Sequence, residues 1–350
     1  MNEHANEGPA LRLATRFTDL LGIEHPVVQE GLGPYKIVAL AAAVSNAGGL
    51  GTISIPGISE EPAAGAKKLR AYIEEACSLT DRPMAVNVPV GADKTGVVLP
   101  FSAAYVGAVV EAVRDATIAK RLRVITTSAG PPGLARRLID GAGLIHMHKV
   151  GGTRQALRAE ADGVDVVIAS GYEAGGHTQV RPVGTFVLGP NIAEAVSIPV
   201  VLAGGVRDGR GLAAALALGA DAVAMGTRFV ASHENTDWDP AYGRRILDAK
   251  EGDDVVFPAI YGPSRVLPSE GLSELIRIMD AGDTDEVQLT RLKDEMLIAG
   301  QRDGDMKRGL LPAGQVSGAI NDLVSVAEFV PGIVAEAIST MQKMRACLVR

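Results

Sequence analysis

The chain has only two cysteines, Cys77 and Cys347, in 350 residues. Two thiols cannot build a disulfide framework or a cysteine-rich metal cluster, so we expect no metal site. Low cysteine usage is typical of a reducing compartment, and we expect a cytoplasmic protein. The sequence also lacks an apolar run near the roughly 18 residues that cross a bilayer, which excludes a membrane partner.

Basic charge and aromatic rings are scarce as well. The 34 Lys and Arg residues are outnumbered by 41 Asp and Glu, and aromatic residues make up 4%. Binding to a nucleic-acid backbone needs a basic surface, so nucleic acid is not the expected partner. Residues 1–10 are polar and acidic, unlike a signal peptide. We expect a small-molecule substrate, and a homodimer is compatible with the sequence.

What the chain does contain is glycine, at 41 residues, and a repeated alternation of short apolar and Ala-rich helical segments. This alternation indicates βα units and a parallel sheet. Eight such units span about 200 residues, which predicts an α/β protein with a (β/α)8 barrel rather than an open doubly wound sheet. The predicted strands are Pro26–Gln29, Gly49–Ser54, Met84–Val88, Arg123–Thr127, Leu144–His148, Asp165–Ala169, Pro199–Ala203 and Ala222–Met225.

The amino-acid composition changes after Phe229, where charged residues become frequent. Helical periodicity at Tyr242–Ala249, Leu272–Met279 and Val287–Ile298 predicts a helical insertion or lid over residues 232–310. A final amphipathic helix, Leu323–Leu348, is expected to pack back on the barrel. The predicted organisation is therefore a barrel over 1–231, the insertion over 232–310 and a returning helix within 311–350.

Active sites of such barrels lie at the carboxyl ends of the strands. The segments Ala203–Gly209 (AGGVRDG) and Met225–Phe229 (MGTRF) follow the last two strands, where this fold commonly binds phosphate. Their glycines allow backbone N–H groups to approach phosphate oxygens, and the Thr227 hydroxyl adds a donor. Asp208 is a suitable N-cap for the next helix. The alternative is that both segments are ordinary tight turns.

A second glycine-rich loop, Gly171–His177 (GYEAGGH), follows the sixth strand and ends in a histidine. An imidazole at this position would lie over a planar ligand and transfer protons near neutral pH. The alternative is a structural histidine that bonds backbone carbonyls. His146 and His148 share one face of the fifth strand, and we interpret them as packing or hydrogen-bonding residues.

Three further polar residues, Gln29, Asn87 and Lys149, also lie at strand ends. An amide or ammonium group there would bond a ring carbonyl or stabilise negative charge developing on it. Arg228 would add positive potential near the phosphate, although a surface role is equally compatible with its position.

Taken in order, these segments resemble the nitronate monooxygenase family, formerly called 2-nitropropane dioxygenases. The matching segments are HPVVQ (His25–Gln29), NAGGLG (Asn46–Gly51), Val86–Asn87, EAGGH (Glu173–His177), Ala203–Phe229 and AGQVSGAI (Ala313–Ile320). The resemblance implies FMN as cofactor, with its phosphate on Gly204, Gly205, Gly226 and Thr227 beside Met225. It implies that the isoalloxazine ring lies near the Glu30–Leu32 turn, which follows Gln29 and contains Gly31 and Leu32, and near Asn87, Lys149, Gly175 and Gly176. It also implies that His177 handles the substrate proton.

Two positions depart from the family pattern. Ser170 stands where the family often has Gln, and Gln29-Glu30-Gly31-Leu32 replaces a Gln-Ala-Pro-Met type of turn. Both positions are expected near the flavin, so substrate range or redox tuning would differ.

The leading functional hypothesis is FMN-dependent oxidation of an alkyl nitronate by dioxygen, which gives a carbonyl compound and nitrite. The second is an FMN- and NAD(P)H-dependent ene-reductase acting on an α,β-unsaturated acyl thioester. A nucleotide dehydrogenase of the inosinate type is disfavoured, because Cys77 and Cys347 lie in predicted helices rather than in a catalytic loop. A non-catalytic phosphate-binding barrel is the remaining alternative.

Overall fold

The computed structural model describes residues 11–349, so the prediction made for residues 1–10 and the final Arg350 lie outside the described residues. Eight parallel strands form the main sheet, and four short strands form a second one. In chain order the strands are β1 Val27–Gln29, β2 Gly51–Ser54, β3 Met84–Val90, β4 Leu122–Ala129, β5 Ile145–Val150, β6 Val166–Ser170, β7 Gly176–His177, β8 Val200–Ala203, β9 Ala222–Met225, β10 Val255–Ala259, β11 Gly262–Leu267 and β12 Leu311–Pro312.

The main sheet closes into a barrel. Its strand order is β1-β9-β8-β6-β5-β4-β3-β2, and a parallel bridge between Val28 and Leu50 joins the two ends. All neighbouring pairs are parallel, as βα units require. The predicted (β/α)8 fold is confirmed, with all eight strands found at the predicted places.

The period of two along each strand divides the side chains between the barrel interior and the helix layer. Small and apolar side chains such as Ala85, Met147 and Ala224 fill the interior. Phe17 and Leu21 of the first helix join this interior cluster from the amino-terminal end. The opposite end, where the strands finish, is left to polar side chains and glycine loops.

Helices surround the barrel, and half of those described begin at a proline or an acidic cap. They are α1 Arg16–Leu21, α2 Val38–Asn46, α3 Pro62–Leu79, α4 Pro100–Ala112, α5 Ala116–Ala119, α6 Pro132–Ile139, α7 Thr153–Ala161, α8 Thr185–Ala195, α9 Gly209–Ala217, α10 Thr227–Val230, α11 Pro240–Leu247, α12 Glu270–Ala281, α13 Glu286–Arg302 and α14 Val326–Ala346, with a 3₁₀ turn at Gln315–Ala319. Asp208 caps α9 as predicted, because its carboxylate accepts the Arg210 N–H at 3.1 Å.

α8 begins at Thr185, and its first turn is capped by a residue distant in sequence. The carboxylate of Glu173, in the loop after β6, accepts the Thr185 N–H at 2.9 Å and the Thr185 hydroxyl at 2.6 Å. This capping group comes from twelve residues upstream, so local sequence signals do not reveal it.

The segment over residues 232–310 contains a β-hairpin as well as helices. β10 and β11 pair antiparallel, and β11 also pairs with β12 and with β7, where Ser264 lies opposite His177. We expected only helices here. The segment has its own apolar cluster, which includes Phe257, Val266 and Leu297.

α14 packs against α9 and α2 on the outside of the barrel, and Val330 and Ile333 are buried there. Within residues 11–349, no helix has the length and apolar character needed to cross a membrane.

Candidate functional site

A polar cavity lies at the carboxyl end of the barrel. The side chains of Glu30, Thr52, Asn87, Thr126, Ser128 and Lys149 line it. They are inward-facing residues of β2 to β5 and of the turn after β1, and the strand period places them on this face. Gly31 completes the lining, and a Cβ at this position would come within 2.4 Å of the Asn87 Cβ. Only glycine allows this close contact.

The ammonium group of Lys149 is already paired. Its Nζ lies 2.8 Å from Glu30 Oε2, and both side chains are mostly buried. Lys149 was expected to act as a free cation, and Glu30 was expected only as part of the turn beside the flavin ring. The structure shows that the unusual Glu30 supplies the counter-charge to Lys149.

Gln29 and Met225 do not bring their side chains to the cavity. The strand period of two places both side chains on the outer face of the barrel, where Met225 joins the apolar cluster under the helices. The carboxamide of Gln29 accepts the Thr52 N–H at 2.9 Å and donates to the Glu30 carbonyl. Because both ends of this amide are used, the expected bond from Gln29 to a ring carbonyl is not available in this arrangement. Gln29 holds the turn after β1 instead.

The loops after β8 and β9 present unused backbone donors. Gly204 and Gly205 adopt φ values of +106° and +73°, which disfavour any residue with a side chain. Among the residues described, no group accepts a hydrogen bond from the backbone N–H of Gly205 or Gly226. The Thr227 oxygen accepts the Gly314 N–H at 2.9 Å, which leaves its own hydroxyl proton free to donate. These adjacent free donors suit the oxygens of a phosphate group.

The Ala313–Ile320 segment joins these loops to the loop Gly171–His177, called the histidine loop below. Gln315 donates its N–H to the Glu173 carbonyl at 3.0 Å, while a Cβ on Gly175 would come within 2.6 Å of the Gly314 nitrogen. Gly175 and Gly314 are therefore both needed for close backbone packing. Gly176 has φ +70° and no atom within 4 Å of the position of a Cβ, so it faces open space.

His177 lies at the end of this loop on β7. The residue is exposed, and surrounding protein atoms partly desolvate its imidazole. Desolvation and the positive charges of Lys293 and Lys149 lower the pKa of His177 to about 4. The imidazole is therefore neutral at pH 7, which is the state that accepts a proton.

His146 and His148 face the helix layer, as their position opposite Met147 and Lys149 on β5 requires. The Thr127 hydroxyl lies 2.7 Å from His146 Nε2 and 2.8 Å from His148 Nδ1. Burial lowers the pKa of His146 to about 3 and that of His148 to about 4. Their expected packing and hydrogen-bonding role agrees with these contacts. Arg228 is also structural, because it is buried and bonds Asp322 and the Ala231 carbonyl.

Two charged residues within 232–310, Arg265 on β11 and Lys293 on α13, were not predicted to belong to the site. Arg265 is 2% exposed, pairs with the buried Asp254, and donates to the Tyr172 carbonyl at 2.9 and 3.2 Å. Its guanidinium lies 4.4 Å from the centroid of the Tyr172 ring. Lys293 on α13 lies close enough to His177 to lower the pKa of the imidazole. The signal for the hairpin was available in the β-branched residues on either side of Tyr261-Gly262.

The barrel, its free backbone donors and a histidine at the carboxyl end of the strands define the class of protein as a barrel enzyme. The family of nitronate monooxygenases matches over residues 14–336. The chain therefore belongs to the nitronate monooxygenase family, a family of flavin-dependent enzymes, and is an oxidoreductase.

Relatives within this family carry different names. The chain is 34% identical to a Mycobacterium tuberculosis protein named (3aS,4S,5R,7aS)-5-hydroxy-7a-methyl-1-oxo-octahydro-1H-indene-4-carboxyl-CoA dehydrogenase, over 96% of this chain and 99% of that protein. It is 37% identical to a Pseudomonas aeruginosa nitronate monooxygenase, over 64% of this chain and 71% of that one. The solved structure of FabK from Thermotoga maritima is 36% identical and superposes with a TM-score of 0.82, covering 96% of this chain and 100% of that one.

Proposed function

We propose that this protein is an FMN-dependent enzyme that oxidises alkyl nitronates with dioxygen to a carbonyl compound and nitrite. The observation that carries the proposal is the placement of an accessible, neutral imidazole beside positive charge at the carboxyl end of the barrel. A nitronate is a small anion, and a histidine that forms it from a nitroalkane must be neutral before it takes the proton.

The residues present fit FMN. The free N–H groups of Gly205 and Gly226 and the Thr227 hydroxyl would hold its phosphate, and Asn87 and Gly31 would border its ring at the cavity. When bound, FMN supplies the electron-transfer chemistry of the reaction. We infer FMN rather than FAD because one group of phosphate donors stands out in the part of the chain that the structure describes, and the sequence has no second diphosphate motif.

Within this site His177 would act as the base for neutral nitroalkanes. The loop that carries it is fixed at three places, through the bond from Glu173 to Thr185, the bond from Gln315 to Glu173 and the pairing with β11. Such fixation holds the imidazole in one position without reorganisation during the reaction. Residues 232–310 would serve as the lid, because their hairpin pairs directly with the strand that carries His177.

A second candidate is an ene-reductase that uses NAD(P)H to reduce an α,β-unsaturated acyl thioester. It is favoured by the name of the M. tuberculosis relative, which acts on a CoA ester and matches this chain nearly end to end. Here His177 would position the thioester or donate a proton to it.

Anaerobic stopped-flow kinetics separates the two candidates. The purified flavoprotein is mixed with propionate 3-nitronate, and in separate experiments with NADH and NADPH, while flavin absorbance is followed. Rapid reduction by the nitronate with slow reduction by both nicotinamides supports nitronate oxidation. Rapid reduction by NADH or NADPH, with none by the nitronate, overturns the leading proposal in favour of the ene-reductase.

A further inference from the structure

A buried lysine in the segment after the barrel forms no ion pair in the part of the chain that the structure describes. Lys293 on α13 is 5% exposed, and no carboxylate in residues 11–349 forms an ion pair with its ammonium group. Burial lowers the pKa of Lys293, and the negative charge of the neighbouring Asp294 offsets part of this effect, but the two side chains form no ion pair in the part of the chain described. Asp294 Oδ2 instead accepts the N–H groups of Ile58 and Ser59 at 3.0 and 2.9 Å. The described contact of the Lys293 ammonium is with the Tyr261 ring, whose centroid is 5.2 Å away. Burying an ammonium without a partner is costly, so this charge needs an explanation.

The hairpin brings this charge to the histidine loop. Tyr261 lies in the turn between β10 and β11, and its hydroxyl bonds Thr290 on α13 at 2.7 Å. Two residues further on, the Pro263 carbonyl accepts the Thr178 N–H at 2.8 Å, and Ser264 pairs with His177. α13 and the hairpin therefore place Lys293 next to His177.

The two lysines near His177 are not equivalent. Lys149 is neutralised by Glu30 at 2.8 Å, so that pair adds little net charge. Lys293 forms no ion pair among the described residues, so its positive charge beside the imidazole is only partly compensated, by the nearby Asp294 carboxylate. This is the charge distribution of a site prepared for an anion.

We propose that Lys293, together with His177, forms a subsite that binds the negatively charged oxygens of a small planar oxyanion, the nitro or carboxylate end of the substrate. The inference deepens the proposed function and rests on it. Proton removal from a neutral nitroalkane creates its negative charge beside Lys293. The lysine thus binds the product of proton transfer better than the neutral substrate, which lowers the barrier to that step.

The kinetic test compares three variants with the wild type. Lys293→Met should raise the KM for a preformed nitronate roughly 10–100-fold, the range for a lost hydrogen bond to a charged group, with flavin content unchanged. Lys293→Arg should recover part of the loss. Lys307→Met removes an exposed lysine of the same segment that pairs with Glu270, and it should behave like the wild type. An unchanged KM in Lys293→Met overturns the proposal.

A binding test gives a readout that does not depend on turnover. Propionate and propionamide have the same shape but differ in charge, and each is titrated calorimetrically into the purified protein. The wild type should bind propionate more tightly, and Lys293→Met should lose this preference. If the wild type shows the preference but oxidises no nitronate, only the proposed reaction fails. If Lys293→Met loses flavin but keeps the preference, the lysine serves the cofactor and the subsite is wrong.

Discussion

At the scale of single residues, His146, His148 and His177 differ in their exposure to solvent. His146 and His148 share the Thr127 hydroxyl in the layer between barrel and helices. His177 is instead exposed, with the pKa of its imidazole lowered to about 4. Proton exchange with a substrate requires access as well as a suitable protonation state, and of these three only His177 has both.

If His177 is the base, His177→Asn should slow turnover of neutral nitroalkanes by about 10²–10⁴-fold, the usual contribution of general-base catalysis. Preformed nitronates have already lost the proton and should be affected far less. Flavin content should stay at the wild-type level, since an asparagine preserves the β7 backbone pairing. If the ene-reductase function holds, the variant should instead slow reduction of the unsaturated thioester.

The matched control is His233→Asn, which changes an exposed histidine outside the site. Rates with nitroalkane, nitronate and enoyl thioester are measured for both variants. Wild-type rates with all three substrates in His177→Asn would show that the histidine is structural.

At the scale of elements, the β10–β11 hairpin is fixed to the histidine loop by one buried arginine. Arg265 reaches the carboxylate of Asp254, the carbonyl of Tyr172 and the face of the Tyr172 ring. The periodicity of the sequence did predict the helices of this segment, because α12 and α13 are amphipathic. It did not predict the hairpin's pairing with β7, since the partners are more than 80 residues apart and their register depends on tertiary contacts.

Replacing Arg265 with Met should therefore destabilise the protein by about 3–5 kcal/mol, because Asp254 would be left buried without a partner. The double variant Arg265→Met, Asp254→Leu should lose less, since it removes both charges. The free energy of unfolding is measured with urea, and amide hydrogen exchange over residues 172–178 reports on the loop. A double variant no more stable than Arg265→Met would contradict the assignment of the cost to the unpaired carboxylate.

The outer face of β5 gives a dependence of stability on pH. Burial lowers the pKa values of His146 and His148 to about 3 and about 4, below the 6.5 of an unperturbed histidine. Between pH 6.5 and 4 the unfolded chain therefore binds more protons than the folded chain, and stability falls as the pH is lowered. Each histidine adds up to about 1.4 kcal/mol per pH unit to this slope.

Urea unfolding at pH 7, 6 and 5 measures how the free energy of unfolding changes with pH. His148→Gln should remove the contribution of one histidine to this slope, while the glutamine leaves a hydrogen-bonding group beside Thr127. Equal slopes in the variant and the wild type would show that His148 is not buried as a neutral side chain.

At the scale of the whole molecule, the barrel could be predicted from the sequence because each βα unit has a local signature. A short apolar strand, a turn that contains glycine and a helix follow one another repeatedly along the chain, and parallel pairing then brings all the strand ends to one face. Because parallel strands end at one face of the barrel, Asn87, Lys149 and the glycine loops could also be predicted to lie together there. It could not show that Glu30 neutralises Lys149, or that α13 supplies Lys293, because both depend on which side chains meet across the closed barrel.

The joint arrangement of the glycine loops predicts how the whole protein holds its cofactor. It should purify yellow, and acid release followed by chromatography should recover FMN. Gly205→Val should lower flavin content strongly, because φ is +73° there and the added side chain would stand beside the free backbone donors. Positive φ alone strains any β-branched residue, so Gly252→Val, at φ +84° in a turn outside the site, is the control for strain. Both variants should lose some stability, but only Gly205→Val should lose flavin at equal circular dichroism. Recovery of FAD would refute the single-phosphate site, and equal flavin loading in the two variants would remove Gly205 from it.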